Sequence, residues 1–236
     1  MSYVLVKVHC PHCETPNVKK NGVKGNGQQN FSCKDCRKQF QFEYKYKGAN
    51  PRIKKQVCEM AMRGSGIRDT SKVLKMSAVT VILILRLWFK THLEPSFEGI
   101  YENVIIDEMW SWVGKRKESK RWIWYAYCAD TGKILAFQIG KRNDKTCQKL
   151  FKKLSHLTIN HYYTDDWRSY KKHIPPEKHT ISKAKTQKIE RQNLNRAAFR
   201  FRTHLKRLCR KTICFSKKDD MHYGFIKAYI WLKNAV

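Results

Sequence analysis

The chain has 236 residues, enough for one large domain or for a catalytic domain with small appended modules. Hydrophobic residues make up 42% and aromatic residues 12%, which supplies a core and excludes a wholly disordered basic protein. Because 49 Lys and Arg oppose 19 Asp and Glu, the formal net charge is +30 and the expected partner is a polyanion. Nucleic acid fits best, and a membrane surface is the lesser alternative.

The cysteines and the apolar segments indicate a cytoplasmic protein with no membrane partner. Nine cysteines, four of them in two CxxC pairs, fit reducing conditions and metal ligation better than a disulfide framework. The N-terminus lacks a signal peptide's apolar region. The apolar stretch AVTVILILRLWF contains Arg86 and is shorter than the roughly 18 residues that span a bilayer.

Residues 1–48 are predicted to form a zinc ribbon. Two CxxC pairs, CPHC and CKDC, are separated by nineteen residues that include a Gly-rich hairpin region. Each pair can close on one side of a Zn²⁺ ion, which gives a tetrahedral site with four thiolates and no open position. The predicted ligands are Cys10, Cys13, Cys33 and Cys36. Such a closed site organises a small fold and performs no chemistry.

Residues 49–95 are predicted to form a helix-turn-helix. Helices are expected from about Arg52 to Arg63, then after Gly64-Ser65-Gly66 to Leu74, and from Ser77 to Lys90, with Ser77 as the N-cap. The three helices and the tight turn are typical of a DNA-binding module.

If the third helix enters the major groove, its first turn faces base edges and nearby lysines hold phosphates. The candidate DNA-binding residues are Ser77, Thr80, Lys72 and Lys75. The alternative is a structural helical hairpin, in which apolar residues of the third helix form a core or a self-association surface. Those residues are Val79, Ile82, Leu83 and Leu85.

Residues 100–236 are predicted to form an α+β or α/β domain of order βββαβαβα. The meander consists of VIIDEMWSWV, RWIWYAYCA and ILAFQI, the last two joined by a turn at residues 130–133. A helix at Lys145–Leu157, the strand INHYYT, a short helix near Trp167, the strand HTIS and a basic helix at Gln187–Arg210 follow.

Three acidic positions stand out in this domain. Asp107 lies inside an apolar strand, where a buried carboxylate needs either a divalent cation or a basic partner. Glu108 points to the opposite face by strand alternation and is the weaker candidate. Asp165 and Asp166 follow the fourth strand, and from the residues alone either could be a ligand while the other caps the next helix.

Glu190 is the third candidate. It is the one carboxylate among eleven Lys and Arg between Ser182 and Lys211, and no basic residue lies three or four positions away on its helix. The alternative is a tertiary salt bridge. A strand acid, a strand-end acid and a helix acid in a βββαβαβα order suit an RNase H-like fold, with two Mg²⁺ or Mn²⁺ ions that serve phosphoryl transfer.

Taken with these motifs, the chain resembles the transposases of the insertion sequence 1 family, which belong to the DDE superfamily. The resemblance covers nearly the whole length and rests on CPHC, CKDC, IDEMWSWV, RWIWYAY, YTDDW, ISKAKTQKIERQNLN and CFSKK. It implies that Asp107, Asp165 and Glu190 are the catalytic metal ligands. Twenty-four residues lie between Asp165 and Glu190, as the family pattern expects, which favours Asp165 over Asp166.

The resemblance also implies a partner and a reaction. The expected partner is double-stranded DNA, both the terminal inverted repeats of a bacterial element and its target, held by a homodimer or higher homo-oligomer at the nucleoid. Basic residues near the catalytic glutamate would hold the DNA ends, namely Lys188, Arg191 and Arg196. Two alternatives are a DNA-binding repressor with an inactive catalytic half and a nuclease on the same fold.

Overall fold

The computed structural model describes residues 7–92, 94–114, 120–181 and 216–235. They divide into two compact units, one with the residues up to Ala61 and Ile67–Leu85, the other with Met62–Gly66 and the chain from Arg86 onward. The predicted ribbon and most of the predicted helix-turn-helix fall in the first unit. The predicted catalytic domain falls in the second.

The ribbon is a small antiparallel sheet. Strands β1 (Val18–Val23), β2 (Gln29–Cys33) and β3 (Gln39–Gln41) lie in the order β1-β2-β3. The turn between β1 and β2 needs a glycine, because Gly27 has φ +78° and donates its amide hydrogen to the Lys24 carbonyl oxygen at 2.8 Å. Few apolar side chains are buried here, chiefly Phe40, which stacks on Phe31 at 5.6 Å.

Three helices follow, as predicted. They are α1 (Pro51–Met62), α2 (Ile67–Leu74) and α3 (Ala78–Thr91). The predicted N-cap of α3 is confirmed, since Ser77 Oγ accepts a hydrogen bond from the Thr80 amide at 3.1 Å. Lys75 lies in the turn before it with φ +50°, a left-handed conformation that reverses the chain between α2 and α3.

The second unit is built on a five-stranded sheet. Its strands are β4 (Ile100–Trp112), β5 (Lys120–Cys128), β6 (Ile134–Gly140), β7 (Thr158–Thr164) and β8 (His179–Ile181). The order is β6-β5-β4-β7-β8, antiparallel across β6, β5 and β4 and parallel across β4, β7 and β8. This mixed sheet confirms the predicted meander and the RNase H-like fold class.

Each face of the sheet carries its own apolar cluster. One includes side chains of α4 (Asp144–Leu154), such as Leu150 and Leu154. The other includes side chains of the C-terminal helix α5 (Asp219–Asn234), such as Ile226 and Ile230. Phe89 lies against Gly224 so closely that a Cβ there would come within 2.2 Å of its ring, and the glycine is therefore required.

Some boundaries differ from the predicted ones. Helix α4 ends at Leu154, not Leu157, because the chain must enter β7 at Thr158. The helix expected near Trp167 is a pair of 3-10 turns, Tyr170–Lys172 and Pro176–Lys178, since prolines at 175 and 176 prevent a longer helix. Helix α5 was not predicted. The predicted basic helix at Gln187–Arg210 lies outside the described residues.

Among the ranges that the structure describes, no helix has the length and apolar character needed to cross a membrane.

Candidate functional site

The four cysteines of the ribbon converge. Their Sγ atoms all lie within 4.8 Å of one another, with 3.6 Å between Cys10 and Cys36 and 3.6 Å between Cys13 and Cys33. Four thiolates at about 2.3 Å from a tetrahedral Zn²⁺ are about 3.8 Å apart. The Cys36 amide also faces Cys33 Sγ at 3.4 Å, so the backbone supports the ligand. The predicted ribbon is confirmed as a structural zinc site.

The helix-turn-helix presents most of its predicted contact residues. Lys72, Lys75 and Ser77 are exposed around the turn between α2 and α3. Thr80 is half-buried, and its hydroxyl lies 2.9 Å from both Ser77 Oγ and Tyr46 OH. The turn therefore offers two cations and one serine hydroxyl at its surface, while Thr80 is held partly inward.

The two predicted strand carboxylates lie on neighbouring parallel strands. Pairing of β4 with β7 continues to Ile105 opposite Tyr163, and Asp107 and Asp165 each follow two residues later. Asp107 is half-buried and accepts hydrogen bonds from Tyr125 OH at 2.9 Å and from the Glu108 amide at 2.8 Å. Asp107 therefore keeps some contact with solvent, and these two donors compensate part of its charge.

Glu108 is the buried carboxylate of the pair, and sequence reasoning gave it no role. It does point to the opposite face from Asp107, as predicted, and its side chain is 3% exposed. Arg142 Nη2 lies 2.6 Å from Glu108 Oε1, and Tyr170 OH donates to Glu108 Oε2. Burial raises the pKa of Glu108, and the bonds from Tyr170 and Arg142 oppose that rise.

Asp165 and Asp166 face different partners. Asp165 Oδ1 accepts the Trp167 amide at 3.2 Å, and its Oδ2 lies 3.5 Å from Arg142 Nη2. Asp166 forms an exposed ion pair with Lys171 at 2.8 Å. No helix begins at Trp167, so the predicted cap has no helix to close, and the first 3-10 turn starts at Tyr170 with Ser169 as its N-cap.

Tyr170 is influenced by the charges of three carboxylates. Burial raises its pKa well above the usual value, and the negative charges of Glu108, Asp165 and Asp107 raise it further. The predicted residues Glu190, Lys188, Arg191 and Arg196 lie outside the described residues. The network of Glu108, Arg142 and Tyr170 was missed because no sequence signal pairs residues so far apart along the chain.

A zinc ribbon and a helix-turn-helix precede an RNase H-like domain in this chain. This order defines a class of DNA-binding proteins whose second part has a fold used to process nucleic acids. The sequence model of a protein family, described as IS1 transposase, matches residues 103–235. Models of the InsA C-terminal domain, a helix-turn-helix, and of the InsA N-terminal domain, a zinc ribbon, match residues 44–87 and 4–37.

Curated relatives match the C-terminal part. The insertion element iso-IS1n protein InsB of Shigella dysenteriae is 44% identical over 125 residues, which cover 53% of this chain and 91% of that protein. The IS1 protein InsB of Shigella flexneri is 37% identical over 129 residues, covering 55% and 94%. An InsB protein of Escherichia coli K12 is 37% identical over 129 residues, covering 55% and 74%.

The chain belongs to the IS1 transposase family, since the transposase model covers more than half of it. It is a bacterial insertion element transposase that binds DNA, and the family resemblance of its sequence motifs is confirmed.

Proposed function

We propose that this transposase cleaves and joins DNA strands at a site formed by Asp107, Asp165 and Glu190. The observation that carries the proposal is the parallel pairing of β4 with β7, which leads into Asp107 on one strand and Asp165 on its neighbour. Glu190 enters from the sequence and from the family motif alone. Terminal inverted repeats would be cleaved to expose 3′-hydroxyls, which then attack target DNA.

The carboxylates suit divalent metal. Hard oxygen donors are the ligands that Mg²⁺ and Mn²⁺ prefer, and Asp165 Oδ2 already faces a positive charge, the guanidinium of Arg142. Bound Mg²⁺ would supply activation of the attacking oxygen and stabilisation of the leaving oxygen. Within the protein, the Tyr125 hydroxyl orients Asp107, and the Trp167 amide orients Asp165.

DNA would contact both parts of the chain. Ser77 and Thr80 at the start of α3 would face base edges, while Lys72 and Lys75 would hold phosphates. Near the carboxylates, cations would hold the DNA ends, as we propose for Lys188, Arg191 and Arg196. The exposure of Lys72, Lys75 and Ser77 supports the first assignment.

We propose three functional segments, with residues 1–48 as the ribbon, 49–95 as the helix-turn-helix and 100–236 as the catalytic domain. The protein would work at the nucleoid as a homodimer or higher homo-oligomer, because two element ends must be held together for joining. The model matches at 4–37, 44–87 and 103–235 support these divisions.

The test is Mg²⁺-dependent cleavage and joining on DNA that carries the element's own ends. We expect Asp107→Asn, Asp165→Asn and Glu190→Gln each to lose more than about a hundredfold in rate, since even partners of metal ligands are worth 10–100-fold. Asp166→Asn is the matched control, because that carboxylate pairs with exposed Lys171. DNA binding, measured by fluorescence anisotropy, should be retained in all four.

Two results would contradict the proposal. Binding of the ends without cleavage in any divalent metal would show that the catalytic half is inactive. Loss of cleavage in Asp166→Asn with retention in Asp165→Asn would move the ligand by one residue.

A further inference from the structure

Arg142 lies between two carboxylates and contacts them unequally. Its Nε and Nη2 atoms lie 2.7 and 2.6 Å from Glu108 Oε1, whereas Nη2 lies 3.5 Å from Asp165 Oδ2. A short charge-assisted hydrogen bond from Nε, together with the short ion-pair contact of Nη2, outweighs the one longer ion pair to Asp165. The guanidinium is therefore drawn mainly toward Glu108.

Two aromatic rings lie beside the guanidinium and help to hold it near both carboxylates. Its central carbon lies 5.2 Å from the centroid of the Trp122 ring and 5.3 Å from that of Trp167. Both rings attract the cation through their faces. Since the Trp167 amide also donates to Asp165 Oδ1, the same residue supports both Arg142 and the carboxylate.

Glu108 depends more strongly than Asp165 on a nearby cation. Its side chain is 3% exposed, whereas that of Asp165 is 42% exposed. A buried carboxylate has lost its water and depends on its ion-pair partner, while an exposed one is still solvated. Tyr170 donates to the second oxygen of Glu108, so that the carboxylate is held in place for Arg142.

We propose that Glu108 is a positioning residue that holds Arg142 away from Asp165 and so keeps the Asp165 carboxylate available to a divalent cation. This rests on the proposed function, in which Asp165 is a metal ligand. Without the charge of Glu108, Asp165 is the remaining ion-pair partner of Arg142 among the described residues. The guanidinium would then pair fully with Asp165 and compete with the metal.

The direct test is Mn²⁺ binding to the zinc-loaded full chain, followed by electron paramagnetic resonance without DNA. Only Mn²⁺ ions that bind to the unmodified protein and no longer bind to Asp165→Asn are assigned to this site. We expect Glu108→Gln to weaken this Mn²⁺ binding about tenfold. A neighbouring cation lowers the proton affinity of a carboxylate by about tenfold or more, and we take the low end of that effect for Mn²⁺. The double variant Glu108→Gln/Arg142→Gln should bind Mn²⁺ at least as tightly as the unmodified protein, because it lacks the competing cation.

Glu94→Gln is the matched control. Glu94 also pairs with a basic residue, Lys153, but its side chain is 41% exposed and outside this network, so Mn²⁺ binding should not change. A merely structural role for Glu108 would lower stability in both the single and the double variant without restoring affinity in the double one. Thermal melts of each variant separate these cases.

An unchanged Mn²⁺ affinity in folded Glu108→Gln overturns the proposal. If Glu108→Gln does not fold, Arg142→Gln decides, since removal of the competing guanidinium should tighten Mn²⁺ binding, and unchanged or weaker binding overturns the proposal.

Parallel cleavage assays distinguish this failure from that of the proposed function. No cleavage by the intact chain, or no Mn²⁺ ion lost in Asp165→Asn, contradicts the proposed function. An ion lost in Asp165→Asn but bound equally in Glu108→Gln overturns the role of Glu108 alone.

Discussion

The ribbon and the five-stranded sheet are stabilised by different means. In β1 of the ribbon one residue is half-buried and the rest are exposed, and its core consists of two cysteines and Phe40 with a few partly buried neighbours. The sheet of the second unit carries an apolar cluster on each face. A small module without enough apolar surface needs a metal or another crosslink, whereas a larger one is stabilised by burial.

Because of this difference, the two units should respond differently to loss of metal and to substitution of buried side chains. The ribbon should depend on one ion and little on any single apolar side chain. The sheet should depend on many side chains, none of which is indispensable.

The largest effect is expected from loss of a zinc ligand. Cys33→Ser should unfold the ribbon, because structural zinc contributes about 10–16 kcal/mol of apparent folding free energy in small zinc modules. Zinc content and amide hydrogen exchange across residues 7–42 measure this. Cys147→Ser, which alters a buried thiol of α4, is the matched control and should retain zinc. Protection of β1 and β2 that survives zinc loss would refute the comparison.

A smaller effect is expected from a cavity in the sheet. Phe137 of β6 is fully buried, so Phe137→Ala should lower the free energy of unfolding of the second unit by about 4 kcal/mol. Urea denaturation followed by tryptophan fluorescence measures the change. Phe42→Ala in the ribbon is the control, since Phe42 is 52% exposed and its loss should cost less than about 0.5 kcal/mol. Equal losses at the two sites would contradict this contrast.

The third effect depends on pH. Burial lowers the pKa of His222 from 6.5 to about 4, and its ring nitrogens lie near Ser111 and Ser216 hydroxyls at 2.7 and 3.3 Å. The unfolded chain therefore binds a proton that the folded one does not between about pH 6.5 and pH 4. Stability should fall as the pH is lowered through this window, by about 3 kcal/mol in total.

The pH effect is measured by urea denaturation at several pH values, and His222→Gln isolates it from the titration of carboxylates. Asp219 and Arg121 act on His222 in opposite directions, Asp219 more strongly. If the unmodified protein and His222→Gln lose stability equally between pH 6.5 and 4, His222 is not responsible.

The smallest effect is expected at the start of α4. Asn143 Oδ1 accepts hydrogen bonds from the Thr146 amide at 3.0 Å and from the Thr146 hydroxyl at 2.9 Å. Asn143→Ala should cost about 1 kcal/mol, the usual value of an N-cap. Asn143→Asp keeps an acceptor and should retain the stability of the original protein in the same denaturation experiment. An equal loss in both variants would point to packing instead of capping.

Local patterns predicted much of this structure. The CxxC pairs, the cap at Ser77 and the meander strands depend on neighbours in sequence, and each was found where the pattern indicated. Helix α5 was missed because Gly224 and several aromatic residues have low helix propensity, and packing against the sheet overrides that preference.

The candidate site was predicted less completely. Asp107 and Asp165 could be chosen from strand positions and a family motif, but the burial of Glu108 could not. Its partners Arg142 and Tyr170 lie 34 and 62 positions away, and they meet Glu108 only when β4, the end of β6 and the turn after β7 come together. Alternation along one strand predicts the face of the sheet on which a side chain lies. It does not predict which residues from other elements contact that side chain.

The adjacency of Asp107 and Glu108 on β4 has a consequence for changes in chain length. In the register with β5, Asp107 lies opposite Tyr125 and Glu108 opposite Trp124. An insertion or deletion of one residue earlier in β4 would exchange the two acids between the faces. Related chains that differ in length should therefore differ in turns such as residues 130–132, while β4 keeps a constant number of residues.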